Sequence, residues 1–120
     1  MRGAAALTAA GTNPSEAFEV LDLRVGRILR AEPNERARKP SYKLWIDFGP
    51  LGEKTSSAQL AALYRADELV GRLVIATINL GSRNIAGFVS EVLVLGVPSA
   101  AGDVVLLDVE REVPLGGRVY

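Results

Sequence analysis

The chain of 120 residues has no cysteine and no histidine. The first absence excludes disulfides, thiolate nucleophiles and thiolate metal ligands. The second removes the commonest general base and the usual zinc ligand, leaving carboxylates and lysine as the only ordinary catalytic groups. No serine has a histidine to activate it, and no carboxylate pair is set up as acid and base. The sequence therefore predicts no catalytic residue, no metal and no cofactor. Long apolar runs are missing too: nothing approaches the roughly 20 residues that a membrane-spanning helix needs, so no membrane insertion is expected. Met1 to Thr12, M-R-G-A-A-A-L-T-A-A-G-T, carries too weak an apolar run for a secretory leader. Residues 1–14 read as a disordered tail and the protein as cytoplasmic.

A net charge is also lacking, with 14 basic and 14 acidic residues. A protein devoted to nucleic acid is usually basic throughout. The charges are nonetheless sorted: Arg24 to Lys54 holds eight basic residues against four acidic, and Glu91 to Tyr120 two against five. That asymmetry allows one positive face, or two complementary faces in an oligomer. What is present is a hydrophobic fraction of 48% in a length suited to one domain.

Ser15 before E-A-F-E-V-L reads as the N-cap of a short helix from Glu16 to Leu21, with Phe18 and Leu21 on one face. Leu23 to Ala31 reads as a strand in which Gly26 marks a bulge or a close approach. Tyr42 to Phe48 alternates cleanly, with Tyr42, Leu44, Ile46 and Phe48 on one side and Lys43, Trp45 and Asp47 on the other. A strand follows at Lys54 to Ser57, then short helical pieces at Ala58 to Tyr64 and Asp67 to Val70. Leu73 to Asn79, Glu91 to Val97 and Val104 to Val109 read as strands, the last two joined by the turn P-S-A-A-G-D. Beyond Pro114 a last short strand falls at Arg118 to Tyr120. Many short strands with few short helices predict an all-β domain over residues 15–120, a small closed barrel of the OB type rather than a sandwich.

Two motifs carry the candidate site: R-A-R-K-P-S-Y-K-L-W-I-D-F-G-P-L-G-E-K-T-S-S-A-Q-L at Arg36 to Leu60, and N-L-G-S-R-N-I-A-G-F-V-S-E-V-L-V-L-G at Asn79 to Gly96. Trp45 is a large ring on the polar side of its strand, which calls for a covering element or a ligand. Arg36, Arg38, Lys39 and Lys43 are either a solvated loop or a contact for phosphate or an acidic partner. Thr55, Ser56, Ser57 and Gln59 read as the opening of a helix, serving as caps or as an anion site. Glu91 reads as a buried partner for Arg83 or as a ligand contact.

L-D-L-R-V-G-R-I at Leu21 to Ile28, A-R-K-P-S-Y-K-L at Ala37 to Leu44, I-D-F-G at Ile46 to Gly49, S-S-A-Q at Ser56 to Gln59 and I-A-G-F-V-S-E-V-L-V-L-G at Ile85 to Gly96 occur in order and ungapped. From Phe18 to Tyr120 the chain thereby resembles the CsaA family of export-associated chaperones. That family lies within the tRNA-binding domains related to the C-terminal domain of bacterial methionyl-tRNA synthetase. The resemblance implies a five-stranded OB-fold homodimer, with Phe18, Leu21, Leu115, Val119 and Tyr120 in the dimer interface. It also implies an ATP-independent chaperone for unfolded or pre-secretory polypeptides, partnered by the export ATPase SecA. Peptide would meet Trp45 and Phe88 through apolar side chains, and Lys43, Asn79, Arg83 and Gln59 through polar groups. The alternative is a tRNA-binding module using Arg36, Arg38, Lys39, Lys43, Lys54, Ser56, Ser57 and Ser90. The tRNA-binding relatives read S-E-G-M where this chain has Ser90, Glu91, Val92 and Leu93, a departure that favours the chaperone branch. A third expectation is a non-catalytic subunit docking on a larger enzyme.

Overall fold

The computed structural model describes residues 13–120, and most of the expected N-terminal tail lies outside them. The first helix, α1 (Pro14–Val20), is capped by Asn13, whose Oδ1 accepts from Ser15 N at 2.9 Å. It starts earlier than the sequence suggested because Pro14 fits the first helical turn, where no N–H is needed. No side chain of α1 is buried.

Antiparallel strands β1 (Leu23–Pro33), β2 (Tyr42–Asp47), β3 (Glu53–Ala58), β4 (Leu73–Thr77) and β7 (Leu93–Val94) form one sheet in the order β3-β2-β1-β4-β7. Its two edges meet where Glu91 N and Val92 N both donate to Thr55 O, at 2.9 and 3.1 Å, giving a nearly closed barrel of OB-like form. Alternation in β2 works as its pattern demands. Leu44, Ile46 and Phe48 have no exposed surface, Tyr42 is nearly buried, and Lys43, Trp45 and Asp47 stand half-buried outside. Gly26 is the close approach and not the bulge: a Cβ there would stand 2.6 Å from Ile46 Cγ2 and 2.7 Å from Phe48 Cε1.

The bulge falls at Leu29, between the pairs Ile28–Ile46 and Arg30–Trp45. One extra residue reverses the facing of everything after it. Arg30, which plain alternation from Ile28 would turn inward, is thereby placed outside beside Trp45.

Ala58 to Tyr64 is not a helix but a turn closed by Tyr64 N to Leu60 O at 3.1 Å; α2 (Ala66–Leu69) follows. Leu60 and Leu69 from these pieces belong to the barrel core. Tyr42 Oη donates to Tyr64 O at 2.8 Å, and Tyr64 Oη accepts from Leu106 N at 3.1 Å, tying the turn to the barrel. The expected strand from Glu91 to Val97 is broken into β7 and β8 (Gly96–Pro98). The latter pairs with β9 (Val104–Leu106) across the anticipated turn. The C-terminal segment lies along the half of β1 that β2 does not reach, through Val25 N to Gly117 O at 3.0 Å and Val119 N to Leu23 O at 2.9 Å. A single bridge, Arg24 to Arg118, stands where a strand was expected.

Candidate binding cleft beside an aromatic pair

The segment after β4 holds a hairpin, β5 (Arg83–Ile85) and β6 (Phe88–Ser90). Ala86 and Gly87 turn it with φ of 49° and 85°, the left-handed pair a tight two-residue hairpin requires. Alanine is strained there. Asn84 Oδ1 accepts from Gly87 N at 2.9 Å and secures the turn.

The hairpin is held against β3 by side chains that replace a paired strand. Glu91 Oε1 accepts from Thr55 N and from Thr55 Oγ1, each at 2.9 Å, and Thr55 Oγ1 lies 2.7 Å from Val89 O. Ser90 Oγ accepts from Ser57 N at 2.9 Å. Glu91 is thus exposed and bound to Thr55, not buried against Arg83. Thr55 and Ser57 lie within β3, so the serine run opens no helix. Its satisfied edge protects the barrel seam from water and from stray strands.

Positioned in this way, Phe88 meets Trp45 edge-on, with ring centroids 5.4 Å apart. Arg30 lies 4.2 Å over the Trp45 ring, and Lys43 Nζ is 5.9 Å from the Phe88 ring. Trp45 is therefore neither bare nor buried. A guanidinium lies over its ring, a phenyl ring meets it at 69°, and the side chain stays half-buried. Nothing in the sequence flagged Arg30 because the bulge that places it leaves no local signature.

The same hairpin also walls a cleft of about 530 Å³ against the β1–β2 loop, lined by Arg36, Arg38, Lys39, Gln59, Ile85 and Ala86 among others. Asn34, buried, fastens the two walls by donating from Nδ2 to Ile85 O at 3.2 Å while its Oδ1 accepts from Arg36 N at 3.2 Å. The Arg36 guanidinium rests on Gly87, where a Cβ would come within 2.5 Å of it. The two motifs singled out in the sequence thus form one surface.

Other expected residues fall elsewhere. Ser56 is wholly buried opposite Leu44 and cannot touch a tRNA phosphate. Lys54, opposite Ile46, lies on the other face of β3 from Thr55 and Ser57. Asn79 uses its amide to join α1 to β1, accepting from Asp22 N at 2.9 Å and donating to Val20 O at 2.8 Å. Arg83 and Ser90 line a separate depression of about 460 Å³ with Leu80 and Leu93. Phe18, Val119 and Tyr120 share a depression of about 610 Å³ at the termini, where Tyr120 is fully exposed. Leu21 and Leu115 are half-buried.

The described cations fall into three sets. Arg24, Arg27, Arg30, Arg65, Arg111 and Arg118 each hold a carboxylate within ion-pair distance. Arg72 stacks 5.1 Å from the Tyr64 ring. Around the cleft and the aromatic pair, Arg36, Arg38, Lys39 and Lys43 hold no carboxylate among the described residues, nor do Arg83 and Lys54 elsewhere. No group of three carboxylates gathers to hold a metal ion among the described residues, and no described helix is long and apolar enough to cross a membrane.

An OB-like barrel whose β1–β2 loop faces the hairpin after β4 presents the surface on which such barrels take extended ligands. The chain belongs to the family described as "Putative tRNA binding domain", whose model matches residues 23–118. It is similar to the crystal structure of the chaperone CsaA from Bacillus anthracis, at 45% identity and a TM-score of 0.85, covering 91% of this chain and 99% of that one. The CsaA chaperone protein from Picrophilus torridus matches at 40% identity and a TM-score of 0.83, over 91% and 100% of the two chains. The methionine–tRNA ligase of Methanococcus vannielii is 35% identical over 105 residues, 88% of this chain. The chain spans only 15% of that enzyme's length.

Proposed function

We propose that this chain is a non-catalytic, ATP-independent chaperone of the CsaA type. In this reading it acts in the cytoplasm as a homodimer that holds unfolded or pre-secretory polypeptides before export, in partnership with the export ATPase. The observation that carries the reading is the Trp45–Phe88 pair, an aromatic surface outside the core with Arg30 and Lys43 against it. An aliphatic or aromatic client side chain gains burial on the open part of the rings, while neighbouring donors bond the client backbone. The likeness to two CsaA chaperones over 91% of this chain supports the same reading. The terminal depression with Phe18, Val119 and Tyr120 is the proposed dimer contact. In light scattering the protein is expected at twice its 12.8 kDa chain mass, and a monomer mass refutes that contact. Trp45→Ala, if still folded, is expected to lose most suppression of aggregation of a denatured client protein. Full retention removes Trp45 from the site.

The cations without carboxylate partners favour a second reading, a tRNA-binding module using Arg36, Arg38, Lys39 and Lys43. A gel-shift titration separates the two. Binding of tRNA with a Kd below about 1 µM near physiological salt, falling steeply as salt rises, would place RNA first.

A further inference from the structure

Resting on the polypeptide-holding reading, we propose that the cleft between the β1–β2 loop and the β5–β6 hairpin selects acidic client segments, carboxylate side chains flanking an aliphatic or aromatic residue. The cleft has two chemistries side by side. Arg36, Arg38 and Lys39 supply positive charge, while Ile85 and Ala86 supply apolar surface. No carboxylate lines this cleft among the described residues; Glu35 of the same loop lines a depression with Arg38 and Ala37 but not the cleft itself. Elsewhere most described arginines hold a neighbouring carboxylate, whereas Arg36, Arg38 and Lys39 hold none among the described residues. A ligand that brings its own carboxylates completes the pairs the fold leaves open. A lysine-rich segment meets like charge.

Two features favour polypeptide over RNA as the source of the anion. Base recognition on such barrels depends on open aromatic faces. Among the described residues no aromatic ring lines this cleft, and Arg30 lies 4.2 Å over the Trp45 ring. The hairpin wall with Ile85 and Ala86 suits an aliphatic or aromatic side chain instead. Gln59 at the cleft wall offers an amide to an extended backbone.

The test uses fluorescence anisotropy with two labelled peptides of identical leucine and phenylalanine content, one carrying glutamates and the other lysines at the remaining positions. The glutamate peptide is expected to bind at least about tenfold tighter at low salt, since a few exposed pairs together are worth roughly one decade in Kd. The preference is expected to shrink at about 0.5 M salt, where the screening length is only a few ångströms. It is also expected to shrink in the exposed-loop variant Arg36→Gln/Arg38→Gln, with thermal unfolding confirming an intact fold. Equal affinity for the two peptides overturns acidic selection and leaves polypeptide binding standing. Failure of both peptides to bind overturns both, and unlabelled tRNA added in parallel shows whether the cleft is RNA's.

Discussion

Replacing Glu91 by alanine tests whether side chains, in place of a paired strand, hold the candidate site together. The carboxylate oxygen accepts two bonds from Thr55, from N and from Oγ1, both at 2.9 Å. Bonds to a charged acceptor contribute about 1.5–3 kcal/mol each when shielded. Glu91 is exposed, so water replaces part of what is lost, and about 1–2 kcal/mol in total is expected. For a domain of this size that corresponds to a fall in Tm of roughly 4–8 °C. Thr55→Val removes the hydroxyl, whose single proton serves Glu91 Oε1 at 2.9 Å or Val89 O at 2.7 Å, and should cost a similar amount. The double variant should fall short of the sum by about 0.5–1 kcal/mol, because one bond is counted in both singles. Glu91→Gln keeps an oxygen acceptor and should lose less than Glu91→Ala. Trp45, the single tryptophan, reports on the same event. The segment that Glu91 anchors carries Phe88 against its ring, so Trp45 emission should shift as the hairpin loosens. A Glu91→Ala protein within about 0.3 kcal/mol of the parent, with unchanged Trp45 emission, refutes the seam as the positioning device.

Two further outcomes test the barrel and its surface. Gly26→Ala places a methyl 2.6–2.7 Å from Ile46 and Phe48, both without exposed surface. Overpacking of this kind should cost about 2–3 kcal/mol, read as a lower urea midpoint at unchanged slope, and a loss under about 0.5 kcal/mol contradicts the close approach. On α2, the hydrogen bond and charge of Arg65 hold the Asp67 carboxyl below its ordinary value. A depressed carboxyl contributes stability above its unfolded pKa and loses it as pH falls through the folded one. The pair stands in solvent, so the effect belongs to Asp67 and hardly to the fold. Carbon-detected NMR titration should place its midpoint below the usual value of about 4 and raise it in Arg65→Gln.

The parts legible in the sequence are those whose rule is local. Tyr42 to Phe48 states its inner and outer faces by alternation, and P-S-A-A-G-D announces its turn by composition. The β5–β6 hairpin was missed because Ala86–Gly87 lacks the asparagine or aspartate that normally marks a left-handed turn. Its support comes from Asn84 instead. Local sequence offers Glu91 only Arg83 or a ligand as a partner, whereas a strand edge with donors to satisfy takes it. Asn79 was read as a ligand contact for want of any sign that the α1–β1 junction would use both ends of its amide.

By itself the sequence determined an all-β barrel, its inward-facing β2 residues, the absence of histidine and thiol chemistry, and the two motifs that carry the candidate site. Periodicity and residue chemistry are enough for those, since each acts within a few positions of the chain. Tertiary structure alone decided which residues share the surface. The bulge at Leu29 turns Arg30 onto Trp45, the β3 seam carries Phe88 to the same ring, and Asn34 joins the loop of Arg36 to the hairpin. Burial withdrew Ser56 from any ligand, and the β1–β2 loop carries Arg36, Arg38 and Lys39 out where no carboxylate among the described residues reaches them. These outcomes depend on contacts between segments far apart in the chain, and local pattern carries no record of them.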